Sequence, residues 1–105
     1  MTATVHLTHF FSTTSPSVFD ECDQIMAELV RREDGDGAVR DAAVSADAEH
    51  GIVEVEVVSD GADEQDAVQA AVARIRAAVS AVVKIDGDGV GAMRQRDVTA
   101  ELVPC

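Results

Sequence analysis

The chain has 105 residues, 47% of them apolar, and carries 20 acidic against 8 basic side chains for a net charge of −12. A chain of this length buries roughly two-thirds of its unfolded surface without help from a metal or disulfide, so residues 1–105 are read as one domain. Phosphate backbones and anionic membranes are held by Lys and Arg, which are scarce here (Lys84 is the single lysine), so nucleic acid and membrane are excluded as partners.

The first segment, residues 2–11, alternates. Ala3, Val5 and Leu7 point one way and Thr4, His6 and Thr8 the other, the period of a strand with one buried face. It includes TVHLTHFF, with two of the three histidines. His9 falls on the opposite face from His6, so the two imidazoles do not converge on a metal. STTSP interrupts the strand, and Ser15 followed by Pro16 suits a helix start. Val18, Cys22, Ile25 and Leu29 then recur at helical spacing, flanked by Phe19, Met26 and Val30. Arg31 and Arg32 are expected in the last turn, where cations complement the helix dipole, and EDGDG is expected to end the helix.

DAAVSADAE reads as a second strand with Ala42, Val44 and Ala46 inward, followed by a turn at His50–Gly51. IVEVEVV is the clearest strand: Val53, Val55 and Val57 face the core, Glu54 and Glu56 face out. Asp63 is placed to cap a long Ala-rich helix from Glu64 to about Lys84, whose stripe is Val68, Ala71, Val72, Ile75, Val79 and Val82. DGDGVG is expected to end it. DVTAELV is the last strand, with Val98, Ala100 and Leu102 inward.

The order is β-α-β-β-α-β. Two right-handed βαβ halves interleave into a four-stranded antiparallel sheet, order 4-1-3-2, with both helices on one face. This topology resembles the ferredoxin-like α-β plait across the whole chain.

A plait leaves one sheet face open. Parity puts Thr4, His6 and Thr8 there with Ile52, Glu54, Glu56 and Val58, then Ala43, Ser45, Asp47 and Glu49, and Asp97, Thr99, Glu101 and Val103. The central strands lie about 4.8 Å apart, so His6, Glu54, Glu56 and Glu101 form the candidate binding group of the open face. The loop after the first strand, Ser12, Thr13, Thr14 and Ser15, leads into a helix N-terminus and is the candidate ligand loop. No residue is assigned as catalytic or as a metal ligand, and no cofactor is expected.

Several chemistries are disfavoured. Cys22 lacks the second cysteine of a CxxC, the presumed base-stacking face has no aromatic on the third strand, and neither DGDG continues into a calcium loop with its closing Glu. Cys22 sits on an apolar stripe and reads as a core residue. The first residues lack Lys or Arg ahead of an apolar run, so they are not read as a secretory signal, and the two distant cysteines do not suggest a disulfide framework. A cytoplasmic location follows as an expectation, as does a salty cytoplasm for so acidic a surface.

The expected function is a non-catalytic binding or regulatory module for a protein or small ligand. Two alternatives stand beside it: a small dimeric plait (α+β barrel) enzyme with His6 as acid/base, and a divalent-cation-binding protein. A homodimer through the sheet is also expected, although the net charge opposes it at low salt.

Overall fold

The computed structural model describes residues 2–36, 38–86 and 92–103. Its elements are β1 (Ala3–Thr13), α1 (Val18–Asp36), β2 (Val39–Asp47), β3 (Ile52–Gly61), α2 (Glu64–Ser80) and β4 (Met93–Leu102). The strands form one antiparallel sheet in the order β2-β3-β1-β4. This is the ferredoxin-like α-β plait that the alternation and helical stripes implied. No helix among the described residues is long and apolar enough to cross a membrane.

The core follows the sequence periods. Leu7 and Phe11 of β1 and Val53, Val55 and Val57 of β3 meet Cys22, Ile25 and Leu29 of α1 and Ala71, Ile75 and Val79 of α2. All are buried, and each Val- or Leu-sized side chain so removed from water contributes roughly 1.5–3 kcal/mol. The small side chains of α2 let it approach the sheet closely. Ser59 Oγ, fully buried on β3, donates to the Ala67 carbonyl at 2.8 Å, which pins the first turn of α2. Asp63 caps that helix as expected, in extended backbone, its carboxylate accepting from Asp66 N–H at 2.8 Å.

Some boundaries differ from the sequence expectation. Helix α1 continues to Asp36, a turn beyond Arg31 and Arg32, so its last turn carries no cation. Helix α2 stops at Ser80 instead of Lys84. The apolar run Val82–Val83 continues the stripe, but the chain turns there so that Ile85 bridges Met93. Asp86 then adopts a left-handed conformation, φ 55°. Most of the second DGDG lies outside the described residues.

The last strand is the main correction. Val98, Ala100 and Leu102 pair with His9, Leu7 and Val5, all buried beneath the helices, so they do lie on the helix-bearing side. They are nevertheless exposed, Val98 by 42% and Leu102 by 56%. The helices are displaced toward the other edge: α1 packs on β2, and α2 packs on β3 and β1. Nothing among the described residues shelters the apolar row of β4.

Candidate functional site

The open face assembles largely as parity dictates. His6 lies directly opposite Val58 on one side and Glu101 on the other. Thr8 lies opposite Glu56 and Thr99, which makes Glu56 a diagonal neighbour of His6. Glu54 pairs with Phe10, two pairs further along, so it joins the face but stands away from His6. The His6, Glu54, Glu56 and Glu101 side chains thus form a spread row of polar groups, and their ligand atoms do not gather within metal-binding reach of one another.

A different polar cluster ties the open face together. Asp60 accepts from Thr4 Oγ1 at 2.6 Å and from Arg40 Nη1 at 2.6 Å, joining β1, β3 and β2. Thr4's hydroxyl, and then the Arg40 guanidinium, hold its carboxyl below the usual carboxylate range. Alternation alone does not bring Arg40 to this face. The β2 bulge between Arg40 and Ala43, with Asp41 at φ 54°, is what carries Arg40 onto this face.

In the loop after β1, Ser15 Oγ accepts from Ser17 N–H at 3.1 Å and donates to Glu21 Oε1 at 2.5 Å. Thr13 Oγ1 accepts from Ser15 N–H at 3.0 Å. Ser12 and Thr13 belong to the end of β1, and Thr14 and Ser15 complete the connection to α1. The Thr13 and Ser15 hydroxyls therefore brace the connection itself, and the Glu21 carboxylate of the first turn of α1 is seated on Ser15.

The hairpin between β2 and β3 brings together residues that the sequence divides between the open face (Asp47, Glu49) and a turn (His50). Asp47, Glu49 and His50 are exposed, with ligand atoms within 4.8 Å of one another. Asp47 accepts from both His50 N–H (3.2 Å) and His50 Nδ1 (2.7 Å), and these bonds lower its carboxyl pKa. The available signal is the i, i+3 spacing of Asp47 and His50 just ahead of Gly51.

On the helix-bearing side, His9 is buried and stacks on Phe11, ring centres 4.3 Å apart at 24°. Its Nδ1 has no hydrogen-bond partner among the described residues. Burial pushes its pKa down, Arg76 adds to this and Asp86 opposes it. Arg76 and Asp86 meet at Gln95: Arg76 Nη1 donates to Gln95 Oε1 at 2.8 Å, and Gln95 donates to Asp86 from its main chain (2.9 Å) and its amide (2.8 Å). Cys22 is buried as expected, and burial raises its thiol pKa, with Glu21 and Asp23 adding to the effect.

The remaining feature is the free edge of β4. Val103 N–H donates to the Thr4 carbonyl at 2.8 Å. Antiparallel ladders alternate, so Val103, Glu101 and Thr99 turn their main-chain groups toward β1, while Leu102, Ala100 and Val98 turn theirs outward. The residues with exposed apolar side chains are thus also those whose main-chain donors and acceptors have no partner strand among the described residues. Such an edge is a template for another strand. The opposite edge, β2, is blunted by its bulge, by Asp41 and by the packing of α1.

No protein-family model and no curated protein matches this chain. Among solved structures it is similar to a de novo designed protein, Foldit4, with a TM-score of 0.49 and 19% identity over 97% of this chain and 98% of that one.

Proposed function

We propose that this chain is a non-catalytic binding module that takes a protein partner by adding a strand to the edge of β4. One observation carries the reading: among the described residues, Val98, Ala100 and Leu102 offer an exposed apolar row and a main-chain edge without a partner strand at the same positions. Strand addition draws affinity from main-chain hydrogen bonds and selectivity from alternate side chains. The net charge of −12 favours a partner with basic flanks, or association in strong salt. The compartment we infer is the cytoplasm, from the paucity and spacing of the cysteines.

The test is a titration of the isotope-labelled chain with a synthetic peptide of alternating valine and threonine ended in lysines. Amide shifts concentrated at residues 98–102 of wild type, and absent in Ala100→Pro, are expected. Proline is tolerated on an edge strand where its missing N–H faces solvent, so this variant removes the docking donor and keeps the ladder to β1. His6→Ala should bind the peptide as wild type does. Shifts centred on His6, Thr8 and Glu56 or on Ser12–Ser15 would contradict the reading. So would a metal or small molecule retained at one equivalent in the native mass spectrum.

A further inference from the structure

We infer that the partner on this edge is a second copy of the chain, paired antiparallel through β4 about a two-fold axis at Ala100; the inference rests on the strand-addition reading above.

The edge is self-complementary in one register. With the axis at Ala100, Val98 faces Leu102 of the second copy, Leu102 faces its Val98, and the two Ala100 residues face each other. All three pairs are of the outward-turned, hydrogen-bonding kind, so the junction forms roughly six main-chain hydrogen bonds. The four large side chains exposed on the helix-bearing side then meet in two cross-strand contacts. On the open face Thr99 lies opposite Glu101 of the second copy, a hydroxyl donor against a carboxylate.

Registers with the axis at Thr99, Glu101 or Val98 fail on charge or on backbone. An axis at Thr99 sets Asp97 against Glu101 twice. An axis at Glu101 sets that carboxylate against itself. An axis at Val98 runs the pairing across the bulge, where β4 takes three steps from Gln95 to Val98 while β1 takes two from His9 to Phe11. The regular stretch of the edge is centred on Ala100.

The assembly closes. An edge that could pair with β2 of a neighbour would propagate into fibres, but β2 carries a bulge with Asp41 at φ 54° and bears α1 on its face. The two-fold β4–β4 junction uses each β4 edge once, giving a continuous eight-stranded sheet from two four-stranded ones. The excess charge on each copy opposes this at low ionic strength, and about 1 M salt shortens the screening length to about 3 Å.

Sedimentation and single-cysteine cross-linking test the register. In a Cys105→Ser background, Ala100→Cys, Thr99→Cys and Glu101→Cys are oxidised in molar salt; Cys22 is buried and stays out of the reaction. Residues on the axis have Cα atoms about 5.5 Å apart, within disulfide range. Ala100→Cys should form the covalent dimer at least about tenfold faster than the other two, and Ala100→Pro should weaken self-association by at least about tenfold. A wild-type chain that stays monomeric at millimolar concentration in molar salt would overturn the inference, as would fastest cross-linking at Thr99→Cys or Glu101→Cys. A monomer that still takes the strand peptide overturns the self-pairing alone; a chain that takes neither overturns the binding reading as well.

Discussion

His9 and Val98 face each other across the β1–β4 ladder on the same side of the sheet, yet His9 is 1% exposed and Val98 42%. The helix layer ends between them. The protein's two unusual features follow from that boundary: an imidazole sealed beneath the helix layer, and an apolar strand left outside it.

The sealed imidazole makes stability depend on pH near neutrality. The His9 pKa is lowered in the fold, so below about 6.5 the unfolded chain takes up a proton that the folded chain does not. Stability is therefore full above that pH and falls as the pH drops toward the folded-state pKa. His9→Leu removes the unpartnered Nδ1, a defect that costs about 1–3 kcal/mol, and forfeits ring stacking worth about 0.5–1.5 kcal/mol. Urea unfolding should show the variant equal to wild type or slightly more stable at pH 7.5, and less sensitive to a shift to pH 5.5. Equal pH slopes would contradict this.

Asp60 acts lower on the pH scale. Its carboxyl is held below the ordinary value by Thr4 and Arg40, so its contribution is present above about pH 4 and is lost as pH falls through the folded-state pKa. Asp60→Asn should be less stable than wild type at pH 7, with the difference closing in stronger acid. A difference that persists unchanged at pH 2.5 would show that packing, and not the ionised carboxylate, joins the three strands.

Gly61 ends β3 where α2 begins. A Cβ there would lie 2.4 Å from the Ala67 main-chain nitrogen and 2.9 Å from its Cα, so even alanine forces the helix away from the sheet. Gly61→Ala should cost about 1–3 kcal/mol, the usual penalty of overpacking, and should weaken the bond from Ser59 to the Ala67 carbonyl. Thermal unfolding reads the first effect, and amide exchange in the first turns of α2 the second.

Salt should raise the melting temperature. Twenty acidic side chains against eight basic ones repel one another in the compact chain, and screening relieves that repulsion. The increase should become steeper with protein concentration, because screening also permits the β4 junction. A melting temperature that is flat or falling from low to molar salt would contradict the electrostatic reading.

Much of this was legible in the sequence. Strict alternation in residues 3–7 and 53–57 set the inner and outer faces of β1 and β3, and with them the neighbours of His6. The cap at Asp63 announced α2, since a short carboxylate before an apolar-periodic run has one role there. The bulges in β2 and β4 were not legible: RDAAV and RQRDV carry no glycine or proline to mark an extra residue. Nor was the end of α2, where Val82 and Val83 fit a helical stripe and a turn equally well. The exposure of β4 lay deepest, because alternation tells which side a residue faces and is silent on whether a helix reaches that far.

Amide hydrogen exchange on β4, followed as a function of protein concentration in molar salt, tests the central claim most directly. Thr99, Glu101 and Val103 donate inward to β1 and should be protected at every concentration. Val98, Ala100 and Leu102 should exchange freely when dilute and gain protection together as the chain is concentrated. If those three amides exchange as open groups throughout, the edge of β4 does not bind another copy.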